Sequence, residues 1–134
     1  MRITKGEIAS KSKNIGKKGH VWVIPDGDMP PPGDGELKGH EALTILNRES
    51  KDAEITLDIY FEDRAPDKGI KLKVGAERVK CFRLDKPIGD ASYQIPFGQY
   101  AMVVTSSVPV VVQFGRMDVR QANLAYYCTM AHPL

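Results

Sequence analysis

Apolar side chains recur at every second position over "AEITLDIYFE" (53–62): Ile55, Leu57, Ile59 and Phe61 fall on one side, Thr56, Asp58, Tyr60 and Glu62 on the other. Period two is the mark of an extended strand with one face buried and one face wet. Shorter runs have the same β-rich character: "HVWVI" (20–24), "HEALTILN" (40–47), "IKLKV" (70–74) and "ERVKCFRL" (77–84), with Gly75 predicted to break or bulge the chain between the last two. The most apolar runs are "QYAMVVTS" (99–106) and "PVVVQFGR" (109–116), joined through Ser106-Ser107-Val108-Pro109 closely enough for a hairpin or a tight corner. "NLAYYCTMA" (123–131) fits a strand or a helical turn, and its Tyr126, Tyr127, Cys128 and Thr129 favour the strand. No stretch carries sustained apolar spacing of helical period. About eight strands without a helix predict an all-β fold, an antiparallel β-sandwich of jelly-roll or Greek-key type.

Length and composition fit that reading. At 134 residues, 42% hydrophobic and 27% charged, the chain has the size and make-up of one globular domain. It has no apolar run long enough for a membrane helix and no secretory h-region after its basic start, so the expected location is the cytoplasm. The net charge of +2 hides an asymmetry. Residues 1–18 hold Arg2, Lys5, Lys11, Lys13, Lys17 and Lys18 against one acid, Glu7, which leaves the remainder with 13 basic and 16 acidic groups. Residues 1–19 are therefore read as a basic extension and 20–134 as the single domain. The extension fits a solvated terminus better than a nucleic-acid arm, because no aromatic residues interleave its charges. Cys81 and Cys128 lie 47 positions apart, match no metal or redox spacing, and are expected to be reduced and buried.

Candidate chemistry concentrates in two places. "PDGDMPPPGDGELKGHE" (25–41) sets Asp26, Asp28, Asp34 and Glu36 among glycines and three consecutive prolines. A calcium-loop reading fails, because Pro31 stands where a glycine is required and Leu37 where a bidentate glutamate is required. "HEALT" opens like a zinc-protease helix but ends on Thr44 in a strand. A crossover between sheets and a ligand-gripping rim loop are the two main readings left for 25–39, with a looser calcium site as a lesser one. The second place is "QFGRMDVRQAN" (113–123). If its strand continues, Arg116, Asp118 and Arg120 share one face, two guanidinium forks flanking a carboxylate. Such a set suits a sugar, a carboxylate or a phosphate, and suits an ion-pair network at a subunit contact equally well. Trp22, the only tryptophan, is a core anchor or a platform for a sugar ring. No catalytic triad, phosphate loop or metal set is legible, and a carboxylate pair such as Glu41 with Asp118 is the one enzymatic arrangement left open. The sequence implies no metal and no cofactor.

Along most of its length the chain resembles the soluble sensory rhodopsin transducer family. The resemblance is carried by Trp22 and the Pro- and Gly-rich stretch after it, "GHEALTILN" (39–47), "ITLDIYFEDRAP" (55–66), "LKVGAERVKCFRL" (72–84), and above all "SSVPVVVQFGRMDVRQANLAYYCTMAHP" (106–133). Residues 1 to about 19 fall outside it. The resemblance implies a small β-sandwich assembling as a homotetramer and acting without chemistry. Two roles are implied, a sensor of a sugar or related metabolite and an adaptor between a receptor and downstream proteins. The family's polar positions map onto Trp22, His40, Glu41, Asn47, Arg116, Asp118, Arg120 and Gln121, which implies one polar ligand site at a rim of the sandwich. The alternatives kept beside it are an adaptor without its own ligand and a nucleic-acid-binding regulator using the arm with Arg78, Lys80 and Arg83.

Overall fold

The structure, a computed structural model, describes residues 19–134. Nine strands follow one another: β1 (Val21–Met29), β2 (His40–Asn47), β3 (Ala53–Tyr60), β4 (Asp67–Val74), β5 (Arg78–Arg83), β6 (Gly98–Ser106), β7 (Val110–Asp118), β8 (Ala125–Met130) and β9 (His132–Pro133). They form two antiparallel sheets, ordered β4-β3-β6-β1-β9 and β5-β2-β7-β8. Neighbours distant in sequence, β3 beside β6 and β2 beside β7, give the crossing connections of the Greek-key class. The all-β sandwich expected from the alternation is what forms.

Inner faces make the core. Ile55, Leu57 and Ile59 of β3 meet Leu43 and Ile45 of β2 and Val112 and Phe114 of β7, all fully or almost fully buried. Phe61 lies beyond the end of β3, half-buried, under the guanidinium of Arg64 at 3.8 Å. Gly75 does break the chain, because β4 and β5 belong to different sheets. Likewise the link from Ser106 to Pro109 is a corner between sheets, not a hairpin. Residues 125–130 are a strand.

Three expectations change. The stretch 25–39 is not one loop, because β1 runs on to Met29 and only 30–39 crosses between the sheets. β1 gets there through a one-residue bulge: Ile24 opposes Met102, but Gly27 opposes Tyr100. Pro25 sits in this bulge, where its missing N–H breaks no ladder bond. Second, β7 ends at Asp118, so Arg120 leaves the face that Arg116 and Asp118 share. Third, Cys81 and Cys128 are exposed rather than buried. Both sit on the strands that edge the four-stranded sheet, and register places Cys81 opposite Thr44 and Cys128 opposite Gly115, away from the core-facing Phe82 and Phe114. The basic extension, apart from Gly19, lies outside the described residues.

Candidate functional site

Glu41 is the centre of the polar site, and it is wholly buried. It stands on β2 with Leu43 and Ile45, on the inner face, where a bare carboxylate would cost several kcal/mol. Three donors from three other strands compensate it. Tyr100 of β6 donates its hydroxyl to Oε1 at 2.8 Å. The backbone N–H of Asp28 in β1 donates to Oε2 at 3.1 Å, and Arg116 Nε of β7 donates to the same oxygen at 2.8 Å. The β1 bulge is what makes this geometry. Gly27 has its backbone against the Tyr100 ring, where a Cβ would clash with the Cζ end of the ring. The ring lies flat across the strand, its hydroxyl reaches the facing sheet, and the next amide points at the same carboxylate.

The electrostatics follow from this packing. Burial, reinforced by the Glu41 charge, pushes the Tyr100 phenol far above its ordinary value, so it stays a donor. At Arg116, burial works against the charged form, but the hydrogen bond and charge of Glu41 outweigh it and the guanidinium is raised further. Arg116 reaches outward as well. Its guanidinium carbon lies 5.4 Å from the Tyr127 ring centre, and Nη2 donates to the Asp26 carbonyl at 3.4 Å.

Tyr127 and Asp26 are two walls of a cleft of about 310 Å3 that opens where β1 and β9 face β8. Phe114 and Ile24 also line it, and Thr129 and His132 supply hydroxyl and imidazole groups. Its size is at the lower end of small-molecule sites, and its mix of apolar walls with a few polar groups is typical of them.

The expected site residues divide between two poles. Arg116, Asp118, Arg120, Gln121, His40 and Glu41 gather at the end of β7 and the start of β2. Among them, Asp118 and Arg120 form a local clamp: the Arg120 backbone N–H and Nε both donate to Oδ1, at 2.9 and 3.0 Å, while Nη2 donates to Oδ2. That clamp holds the Asp118 carboxyl down at about 2. His40 faces the outer side of its sheet, opposite Met117, and Nδ1 bonds the Lys38 carbonyl at 2.7 Å. Gln121 is exposed, and its carbonyl accepts from the Leu124 amide in the turn after β7.

Trp22 and Asn47 lie at the opposite pole, six residues away along β1 and β2, roughly 20 Å at strand spacing. Asn47 is buried and clips loops together. Its Nδ2 donates to the carbonyls of Lys51, Val74 and Gly75, and its Oδ1 accepts from Glu49. Trp22 is half-buried against the core and donates Nε1 to the Gly19 carbonyl. Neither reaches the Glu41 centre. The carboxylate pair is not available either: both oxygens of Glu41 are engaged, and both of Asp118 are held by Arg120.

Sequence reasoning missed Tyr100, Gly27 and Tyr127. Tyr100 sits in an apolar run with nothing to distinguish it. Gly27 gave no usable signal, because it follows the β-rich run 20–24 within a Pro-, Asp- and Gly-rich stretch that reads as a loop.

The described residues contain no group of three or more His, Cys, Asp or Glu side chains that could hold a metal ion. They also contain no helix long and apolar enough to cross a membrane. The sequence profile described as Anabaena sensory rhodopsin transducer matches residues 15–133. A solved structure of Thermotoga maritima 1070 is similar with a TM-score of 0.75 and 29% identity, covering 87% of this chain and 95% of that one. The structure of the Anabaena sensory rhodopsin transducer is similar with a TM-score of 0.63 and 34% identity, covering 75% of this chain and 96% of that one. No curated protein matches the chain significantly.

Proposed function

This chain belongs to the Anabaena sensory rhodopsin transducer family, and we propose that it works as a non-enzymatic sensory module that binds a small molecule in the cleft beside Arg116 and relays the event through protein contacts. The observation that carries this reading is the junction of the cleft with the buried Glu41 centre. Arg116 is fixed at one end by Glu41 and meets two cleft walls, Tyr127 and Asp26, at the other.

The ligand class follows from the lining. An aromatic face at Tyr127 packs against C–H groups, while Asp26, Thr129 and His132 offer hydrogen bonds to hydroxyls. The Arg116 charge is already matched by Glu41, so a neutral, sugar-like molecule fits better than an anion. The polar rim of His40, Asp118, Arg120 and Gln121 borders the same pole. The assembled state that goes with this reading is a homotetramer in the cytoplasm.

A second reading has support of its own. The relative named a sensory rhodopsin transducer supports an adaptor that contacts a receptor protein without a ligand of its own. The nucleic-acid reading has less support: Arg83 is paired with Asp85, and Lys80 lies 5.0 Å from the Phe82 ring centre.

Calorimetric titration and thermal melts against neutral sugars, sugar acids, sugar phosphates and nucleotides test the proposal. A ligand at about 100 times its dissociation constant adds roughly 2.7 kcal/mol, a rise on the order of 5 degrees for a domain of this size. The expected hit is a neutral sugar, and Tyr127→Ala is expected to abolish it while the parent fold melts normally. A clean blank across the panel would end the ligand reading and leave the adaptor, to be tested by capture of a specific receptor partner.

A further inference from the structure

A second hollow opens on the outer face of the five-stranded sheet. Its volume is about 300 Å3, at the lower end of small-molecule sites. Pro25 is the one lining residue it shares with the cleft beside Arg116. Register explains why the hollow is there. Ala101 of β6 stands opposite Tyr60 of β3, and on its other side β1 bulges at Pro25. A small side chain between a tyrosine and a bulged strand leaves space above it. Phe61, just beyond β3, and Gln99, two positions before Ala101, complete the walls.

The lining favours a cation. Glu62 is its one charged side chain, and among the described residues it makes no ion pair. Gln99 spends its amide N–H on Asp26 at 3.1 Å, which leaves its carbonyl oxygen to accept. The hydroxyl of Tyr100, beneath, is committed to Glu41. Aromatic faces carry negative potential and attract ammonium and guanidinium groups. Both rings already do so within the chain: the Arg64 guanidinium carbon lies 3.8 Å from the Phe61 ring centre, and Lys68 Nζ lies 5.9 Å from that of Tyr60. Neither cation lines the hollow, and Arg64 is matched by Asp63 at 3.0 Å.

We propose that this hollow binds a small alkylated ammonium ion, with its charge held by the Tyr60 and Phe61 rings and the Glu62 carboxylate. Alkylation matters because the hollow supplies few acceptors. A bare ammonium brings three or more N–H groups, and those left without partners would cost desolvation. An alkylated one has few N–H groups to satisfy, and its carbon groups pack on Ala101 and Pro25. An anion would meet Glu62, and an uncharged ligand would gain nothing from that carboxylate. The inference goes beyond the sugar reading of the cleft and does not rest on it.

NMR titration of the full chain with choline, and with 3,3-dimethylbutan-1-ol as its uncharged carbon isostere, tests the proposal. Choline is expected to shift the Gln99 and Ala101 amides but not that of Thr129 in the cleft, and to bind at least about fivefold more tightly than the isostere. Tyr60→Leu, which keeps an apolar side chain, and Glu62→Gln are each expected to weaken choline by about fivefold or more. Glu62→Gln should leave the isostere unchanged. Both side chains are exposed, so both variants are expected to melt like the parent. Tyr127→Ala is expected to leave choline binding intact, which separates this site from the sugar reading. A trimethyl-lysine peptide run beside choline tells the sources of the cation apart: tighter peptide binding assigns a protein side chain, and tighter choline binding assigns a free amine. Either order bears out the ammonium site. Absence of shifts at Gln99 and Ala101, equal affinity for choline and its isostere, shifts confined to the cleft, or choline affinity indifferent to both substitutions would each overturn it.

Discussion

At the scale of the residue, the polar site is a set of opposed solutions to one problem, how to keep a charge near an apolar core. Glu41 solves it by recruiting donors from three other strands. Asp118 solves it locally, with the side chain and amide of a residue two positions on. The second solution is open to pH. The Arg120 side-chain bond, then its amide, hold the Asp118 carboxyl at about 2, below the ordinary value of roughly 3.9. Because the folded value is the lower one, this contribution to stability is complete above about pH 4 and is lost as pH falls through about 2. The carboxyl carbon of Asp118, followed by NMR, is expected to titrate near 2 and to move up in Arg120→Ala. A parent midpoint near the ordinary value, or a variant that does not move, would remove the clamp from the account.

At the scale of the element, β1 decides most. A strand of regular pairing would keep Gly27 out of step with Tyr100, and neither the Asp28 amide nor the phenol would meet Glu41. The bulge shifts the pairing by one residue and brings both into place. Gly27→Ala tests this directly. Its Cβ would clash with the Cζ end of the Tyr100 ring, which is nearly fully buried. Overpacking of this kind costs about 1–3 kcal/mol. Urea unfolding is expected to show a loss in that range, with the Tyr100 hydroxyl displaced from Glu41. An unchanged midpoint would mean that the strand can yield and that the bulge is not held by this contact. A neighbouring constraint fixes the crossover: the Gly39 amide donates to the Pro32 carbonyl at 2.9 Å, and a Cβ at 39 would run into the carbonyl oxygen of Pro31.

At the scale of the whole molecule, the sandwich has two poles that do not share partners. Glu41 and Arg116 act as a unit, so removing either leaves the other uncompensated and is expected to cost about 3–5 kcal/mol. Asn47, at the far end of the same strand, is expected to cost about 1–3 kcal/mol as Asn47→Ala, by leaving loop carbonyls unsatisfied. Glu41→Ala with Asn47→Ala should then add within about 0.5 kcal/mol, because distant sites are independent. Glu41→Ala with Arg116→Ala should fall far short of its sum. Equilibrium unfolding of the three single variants, the two double variants and the parent checks both, and a strong coupling between the poles would contradict the separation.

The same scale shows what was legible in the chain. Alternation alone determined the sheets, because Ile55, Leu57 and Ile59 can only be buried together if residues 53–60 are extended. It also placed Arg116 and Asp118 on one face and Gly75 at a break. What it could not determine is which strands face each other. The predicted strand 40–47 already sets Asn47 roughly 20 Å from Glu41, but only the fold decides that Trp22, on another strand, lies at the Asn47 end and away from Glu41. The role of Tyr100 has the same origin: a phenol 59 positions from Glu41 becomes its partner through packing between two sheets. Exposure of both cysteines is also a tertiary fact, since an edge strand reads like a central one until its neighbours are known. Periodicity is set by local backbone geometry and is written in the sequence; pairing across the sandwich is set by long-range packing, and only the folded molecule decides it.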